Sequence, residues 1–186
     1  MDTATFFALA LACAPQVHPQ TAQALVRVES AFNPWAIGVV GGALMRQPRH
    51  RDEAIATAQA LQGAGWNFSV GLGQINLRNF ERLGLTLLSA FEPCANLGAM
   101  QTVLGECYGR ASLPASANPQ PALHRALSCY YSGNFTTGLR DGYVRKVIAA
   151  AAMPMPMPMP MPIQTPAAGL SAVSIPVVTI SQKEPS

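Results

Sequence analysis

Residues 19–34 read PQTAQALVRVESAFNP. Pro19 suits the first turn of a helix, where its missing N–H costs nothing. Ala24, Leu25, Val28 and Phe32 then recur at helical spacing, and Asn33-Pro34 stops the run. The expected element is a helix over 19–31 with one apolar face. Glu29 lies one residue after Val28 and four after Leu25, so it borders that face. A carboxylate placed there is desolvated, which raises its pKa toward the range of a general acid. On this segment alone, a glutamate reaching solvent from a last helical turn is the simpler reading.

Upstream, residues 2–14 are rich in Ala, Leu and Phe and predict a helix, with Asp2 or Thr3 as N-cap and Pro15 beyond its end. The uncharged run from Phe6 to Ala14 is about nine residues, against the roughly 20 a membrane span needs, so an integral membrane protein is not expected. No basic residue precedes that run and Asp2 does, which favours a domain helix over a signal peptide. Downstream, Ile37, Val39 and Val40, then Gly41-Gly42, then Ala43, Leu44 and Met45 predict a hairpin over 36–47. Asp52 is the expected cap of a helix from Glu53 to Leu61, closed by Gly63 and Gly65. Residues 66–75, WNFSVGLGQI, suggest a short strand and a glycine-rich turn, followed by a short helix near 76–83. Helices are expected over 95–111 and 121–132, separated by a Pro/Ser/Ala loop at 112–120, with a last one at about 140–151. The fold class is mainly α with a small β-hairpin, in one domain over 1–152. From Met153 to Pro162, Met-Pro repeats five times. Alternating proline blocks both helix and ladder, so 153–186 reads as a disordered, polyproline-like, low-complexity tail.

The totals exclude several function classes. A length of 186 residues suits one core plus an extension. The net charge is only +3, and the one basic cluster (Arg46, Arg49, His50, Arg51) has no aromatic residues interleaved, so no nucleic-acid partner is expected. Gly71 and Gly73 lack the third glycine of a dinucleotide fingerprint, and no Walker loop is present. The three histidines are scattered and no CxxC pair occurs, so neither metal nor cofactor is expected. Cys94 and Cys107 fall near opposite ends of one expected helix, roughly 20 Å apart and beyond mutual bridging. Cys13 with Cys94 or Cys107, or buried free thiols throughout, both remain open.

Glu29-Ser30 is followed in order by Gly71-Leu72-Gly73-Gln74-Ile75-Asn76, by Ala126 to Asn134 (ALSCYYSGN), and by Gly142-Tyr143-Val144-Arg145-Lys146-Val147. This ordered set resembles the soluble-lytic-transglycosylase domains, which carry a Glu-Ser pair, a Gly-Leu-x-Gln stretch, an Ala-Tyr-Asn-x-Gly stretch and a late tyrosine. The phrases NPWAIGVV (33–40), PCANLGAM (93–100) and ALSCYYSGN look closer still to the branch associated with type IV secretion. The resemblance spans roughly residues 5–150. Each motif alone is weak; four in order are specific. Two positions depart from the family pattern. Tyr131 stands where the family usually has Asn, and Cys129 where it has Ala. The lost amide bears on sugar positioning and leaves the catalytic position unchanged.

The resemblance implies a lysozyme-like α+β domain and a peptidoglycan lytic transglycosylase. Glu29 would be its single catalytic carboxylate, an acid first and then a base that lets the muramoyl 6-hydroxyl close a 1,6-anhydro ring. Ser30 would contact the substrate N-acetyl region. Gln74 would bond substrate or the surroundings of Glu29. Tyr130 and Tyr143 would each hold Glu29 by a hydroxyl or line the cleft, and Asn76 is a further substrate-side candidate. Asp52 and Glu53 are explained by a helix start, and Glu81, Glu92 and Glu106 by exposed helical positions, so no second acid is evident. The implied partners are peptidoglycan strands and components of a type IV secretion machine. The implied location is periplasmic and the expected state monomeric. A lysozyme-like hydrolase and a non-catalytic wall-binding scaffold are the alternatives.

Overall fold

A computed structural model of the chain describes residues 1–112 and 119–153. The expected tail, Met153 aside, and most of the loop at 112–120 lie outside the described residues. Among those described, eight α-helices surround one small antiparallel sheet. The helices are α1 (Thr3–Cys13), α2 (Pro19–Ser30), α3 (Arg51–Gly63), α4 (Leu87–Ala90), α5 (Pro93–Ala111), α6 (Pro119–Ser132), α7 (Thr137–Arg140) and α8 (Tyr143–Ala152). The strands are β1 (Ile37–Val39), β2 (Phe68–Val70) and β3 (Ile75–Asn76), in the order β1-β2-β3. The mainly helical class read from the sequence, with a small antiparallel element, is the observed one.

The helix α2 runs through the centre of the domain. Its Ala22, Ala24, Leu25 and Val26 are fully buried. They share one core with Phe6 of α1, Phe68 and Val70 of β2, Leu97 and Met100 of α5, and Val144 and Val147 of α8. Asp2 Oδ1 accepts from Thr5 N at 3.0 Å and caps α1. At the other end of α2, Ala31 and Phe32 both take left-handed backbone (φ 50° and 61°). Such residues cost on the order of 1 kcal/mol each and persist only when their surroundings hold them. Phe32 is held edge-on to Phe6, with ring centroids 5.1 Å apart.

The hairpin expected over 36–47 is not formed. β1 pairs instead with β2, with Ile37 opposite Val70 and Val39 opposite Phe68. Gly42 N reaches Val39 O at 3.3 Å, so the chain does turn at Gly41-Gly42, but it does not return as a strand. A side chain takes the place of the missing strand. Gln47 Oε1 accepts from Ile37 N at 2.8 Å while Gln47 Nε2 donates to Ile37 O at 2.9 Å. One primary amide thereby satisfies both backbone groups that an edge strand would have left open. Two other expectations shift. His50, not Asp52, is the N-cap of α3, its Nδ1 accepting from Glu53 N at 3.4 Å. The last helix, expected at about 140–151, starts at Tyr143, because Gly142 (φ 79°) separates it from the short α7.

All four cysteines are bridged: Cys13 to Cys94, tying α1 to α5, and Cys107 to Cys129, tying α5 to α6. Cys94 and Cys107 share α5 without pairing together. Closing loops of 81 and 22 residues removes on the order of 3–5 kcal/mol of unfolded-chain entropy per bridge.

Candidate active site

A cleft of about 590 Å³ opens between the sheet and the helices. Its lining includes Glu29, Gly38, Ser69, Gln74, Asn76, Arg78, Tyr130 and Tyr131. Glu29 is the one carboxylate among its lining residues and Arg78 the one cation. A second hollow of about 260 Å³ lies elsewhere, walled by Val17, Leu104, Tyr108 and Leu123. It holds no carboxylate.

Glu29 sits on the last turn of α2, partly buried. The Tyr143 hydroxyl, at the start of α8, donates to Glu29 Oε1. Burial raises the Glu29 carboxyl from its ordinary value to about 7, and the Tyr143 bond opposes that rise without cancelling it. Burial likewise pushes the Tyr143 and Tyr130 hydroxyls well up, and the nearby Glu29 charge adds to it, so both phenols remain proton donors at neutral pH. With Oε1 engaged by Tyr143, Oε2 is the oxygen able to carry the proton.

Tyr130 lines the cleft, but its hydroxyl donates to Gly73 O at 2.5 Å rather than to Glu29. It braces the 71–74 turn. A Cβ on Gly73 would stand 3.0 Å from that hydroxyl and 2.9 Å from Met100 Cβ, so the close approach requires glycine there. Ser30 is buried, and its hydroxyl is directed to Leu72 O at 2.8 Å and Val26 O at 3.1 Å. These bonds tie α2 to the same turn.

Gln74 is held in left-handed backbone (φ 50°) by its own amide, whose Nε2 donates to Ala36 O at 3.1 Å and Gly71 O at 3.0 Å. Two carbonyl acceptors fix which end of the amide is nitrogen. Oε1 then lies over Gly38, whose lack of a side chain leaves it room in the cleft. Asn76 donates to Ser69 Oγ at 3.2 Å across the β2–β3 pair and accepts from Arg78 N at 3.1 Å, so it first shapes the cleft floor.

Three residues outside the expected set complete the site. Asn96, fully buried on α5, accepts from Gly73 N at 2.7 Å and donates to Val70 O at 3.0 Å and Ala90 O at 2.8 Å. A Cβ on Gly71 (φ 79°) would stand 2.3 Å from its Nδ2, so the amide and the glycine turn need each other. Asn96 appears in the PCANLGAM phrase, but nothing in its spacing marks it as a turn anchor. Asn67 Oδ1 is buried at the cleft without a protein donor among the described residues. Tyr131 lines the cleft and stacks on Tyr143, with centroids 4.5 Å apart and planes 16° from parallel. No group of three or more His, Cys, Asp or Glu able to hold a metal occurs among the described residues. No helix among them is long and apolar enough to cross a membrane.

Residues 7–147 match the family described as Transglycosylase SLT domain. The chain is similar to the type IV secretion system protein virB1 of Brucella abortus (strain 2308), 52% identical over 151 residues, covering 78% of this chain and 63% of that protein. It is also similar to protein virB1 of Agrobacterium fabrum, 39% identical over 153 residues, covering 81% of this chain and 61% of that protein. The chain thus spans under two thirds of the length of these relatives. No solved structure matches. With four-fifths of the chain aligned to such relatives and a family match running from α1 into α8, the chain belongs to the SLT transglycosylase domain family.

Proposed function

We propose that this chain is a peptidoglycan lytic transglycosylase that cleaves the bond between N-acetylmuramic acid and N-acetylglucosamine and leaves 1,6-anhydro ends. The observation that carries the reading is the solitary carboxyl of the cleft, held near neutrality by burial. Two-carboxylate glycosidases need a second acid within about 10 Å of the first, and the cleft lining supplies none. One residue must then both give and take a proton, which works best with a pKa near the operating pH. Glu29 Oε2 gives its proton to the glycosidic oxygen as the bond to the muramoyl C1 breaks. The substrate's own N-acetyl group stabilises the developing cation. Glu29, now a carboxylate steadied by the Tyr143 hydroxyl, takes the proton of the muramoyl 6-hydroxyl as that oxygen bonds to C1. Water takes no part, and Glu29 ends protonated as it began. Gln74 Oε1 and Asn67 Oδ1 are the acceptors for substrate N–H or O–H groups, and Asn76 contributes its remaining N–H.

The secretion-system name of the Brucella relative supports a role in opening the wall locally for a type IV secretion machine, whose components would be partners. The two disulfides support a periplasmic location, because such bridges persist in oxidising compartments. We further propose that the catalytic unit ends where α8 does, at Ala152, and that the protein acts as a monomer.

Mass spectrometry of peptidoglycan digested with the purified protein tests the reading. Anhydro-muropeptides are expected, each lighter by one water than a hydrolytic product. Reducing ends in their place assign a hydrolase, and an intact wall a non-catalytic binder.

A further inference from the structure

Tyr143 holds Glu29 from another helix, and the hydroxyl reaches Oε1 only while the ring keeps its orientation. Tyr143 is 6% exposed. Tyr131, at the end of α6, is 49% exposed and lies flat against it, lining the cleft with the surface it leaves open. The exposed ring thus stands between the buried one and the cleft. Parallel stacking of this kind fixes the plane of a ring, which a small polar side chain does not do. Tyr131 is also the position where the chain departs from the family's usual Asn.

We propose that Tyr131 is a positioning residue for catalysis: by stacking on Tyr143 it fixes the hydroxyl that orients Glu29. The inference rests on the reading of Glu29 as the acid. Tyr131 acts through Tyr143 and takes no proton itself. Its effect passes through one hydroxyl group, and that makes it separable from a general packing role. Exchange of the usual amide for an aromatic ring gives up a hydrogen-bonding group at the sugar and gains a rigid backing for the acid. The loss from removing Tyr131 therefore falls on kcat rather than on KM.

A double-mutant cycle on soluble glycan strands, read as anhydro product released per enzyme, tests this. Tyr131→Ala is expected to lower kcat about tenfold while KM changes less than about twofold, as for a modest misplacement of a catalytic group. Tyr131→Phe, which keeps the ring, restores kcat to within about twofold of wild type. In a Tyr143→Phe background the hydroxyl is already gone, so Tyr131→Ala costs less than about twofold more. Should Tyr131→Ala fail to fold, Tyr131→Asn takes its place in the same cycle. An equal loss in both backgrounds, a Phe variant as damaged as Ala, or a loss confined to KM overturns the inference. Glu29→Gln measured alongside separates the two ideas. Wild-type activity in Glu29→Gln sinks the acid assignment itself, whereas an inactive Glu29→Gln with additive Tyr131 and Tyr143 effects sinks only the role of Tyr131.

Discussion

The two walls of the cleft are built on different physics. The helical wall sets Glu29 among tyrosines, where low polarity raises its proton affinity and one hydroxyl aims it. The opposite wall is a small sheet and a glycine turn, held by side-chain amides bonded to backbone: Gln47 to Ile37, Gln74 to Ala36 and Gly71, Asn96 to Val70, Gly73 and Ala90. The first arrangement tunes a reacting group. The second, in the proposed function, fixes where a substrate can lie. Substitutions in the helical wall should therefore act on the chemical step, and those in the sheet wall on stability and substrate affinity.

The largest effect is expected at Glu29. Glu29→Gln should lower kcat about a thousandfold or more, the upper part of the range for general acid–base groups. It should also raise stability at alkaline pH. The folded pKa of about 7 exceeds the unfolded value of 4.5, so the folded state keeps its proton longer. Ionisation then costs stability progressively from about pH 4.5 to about pH 7, reaching on the order of 3 kcal/mol beyond that window. The neutral amide escapes this cost. The melting temperature of Glu29→Gln should match wild type at pH 4.5, rise above it by pH 7 and keep that margin at pH 8.

Next is the sheet wall. Asn96→Ala removes three buried hydrogen bonds, one from the Gly73 N–H and two to the Val70 and Ala90 carbonyls. A loss of about 3 kcal/mol in denaturant unfolding is expected. A smaller cost, below about 1 kcal/mol, would mean that the turn stands without its amide anchor.

A third test returns to the helical wall. Tyr143→Phe should lower kcat by about tenfold. The bond it deletes favours the charged carboxylate, so the Glu29 pKa moves above 7. Activity requires the protonated acid, and it is lost as pH rises through that pKa. The alkaline limb of the pH–rate profile should therefore shift upward. The smallest effect is expected at Gln74, where Gln74→Ala should raise KM severalfold with kcat little changed. A kcat loss there as large as that of Tyr143→Phe would erase the distinction between the walls.

The walls also differ in how much of them the sequence discloses. The apolar period of α2 and the position of Glu29 on its edge are visible in sixteen residues. The family resemblance then adds Tyr143, which stands 114 residues further on and which no local pattern links to Glu29. The sheet is harder to read. Three-residue strands carry little periodicity, and β1 finds its partner some thirty residues away rather than across the nearby Gly41-Gly42 turn. Gln47 mimics a strand and Asn96 clamps a turn, yet in sequence each is an ordinary amide. Ser30 is a mixed case. Its place beside Glu29 suggests substrate, while the tie of its hydroxyl to Leu72 O is nowhere visible in the spacing. The stack of Tyr131 on Tyr143 depends on helix packing, which spacing does not encode.

The central claim is that burial keeps a lone proton on Glu29 near neutral pH. Titration of the glutamate side-chain carboxyl carbons by NMR, with the Glu29 signal assigned by its absence from Glu29→Gln, measures that proton directly. A midpoint near 7 is predicted. A midpoint near the ordinary 4.5 would leave Glu29 ionised when it has to act as an acid, and would contradict the single-carboxyl mechanism.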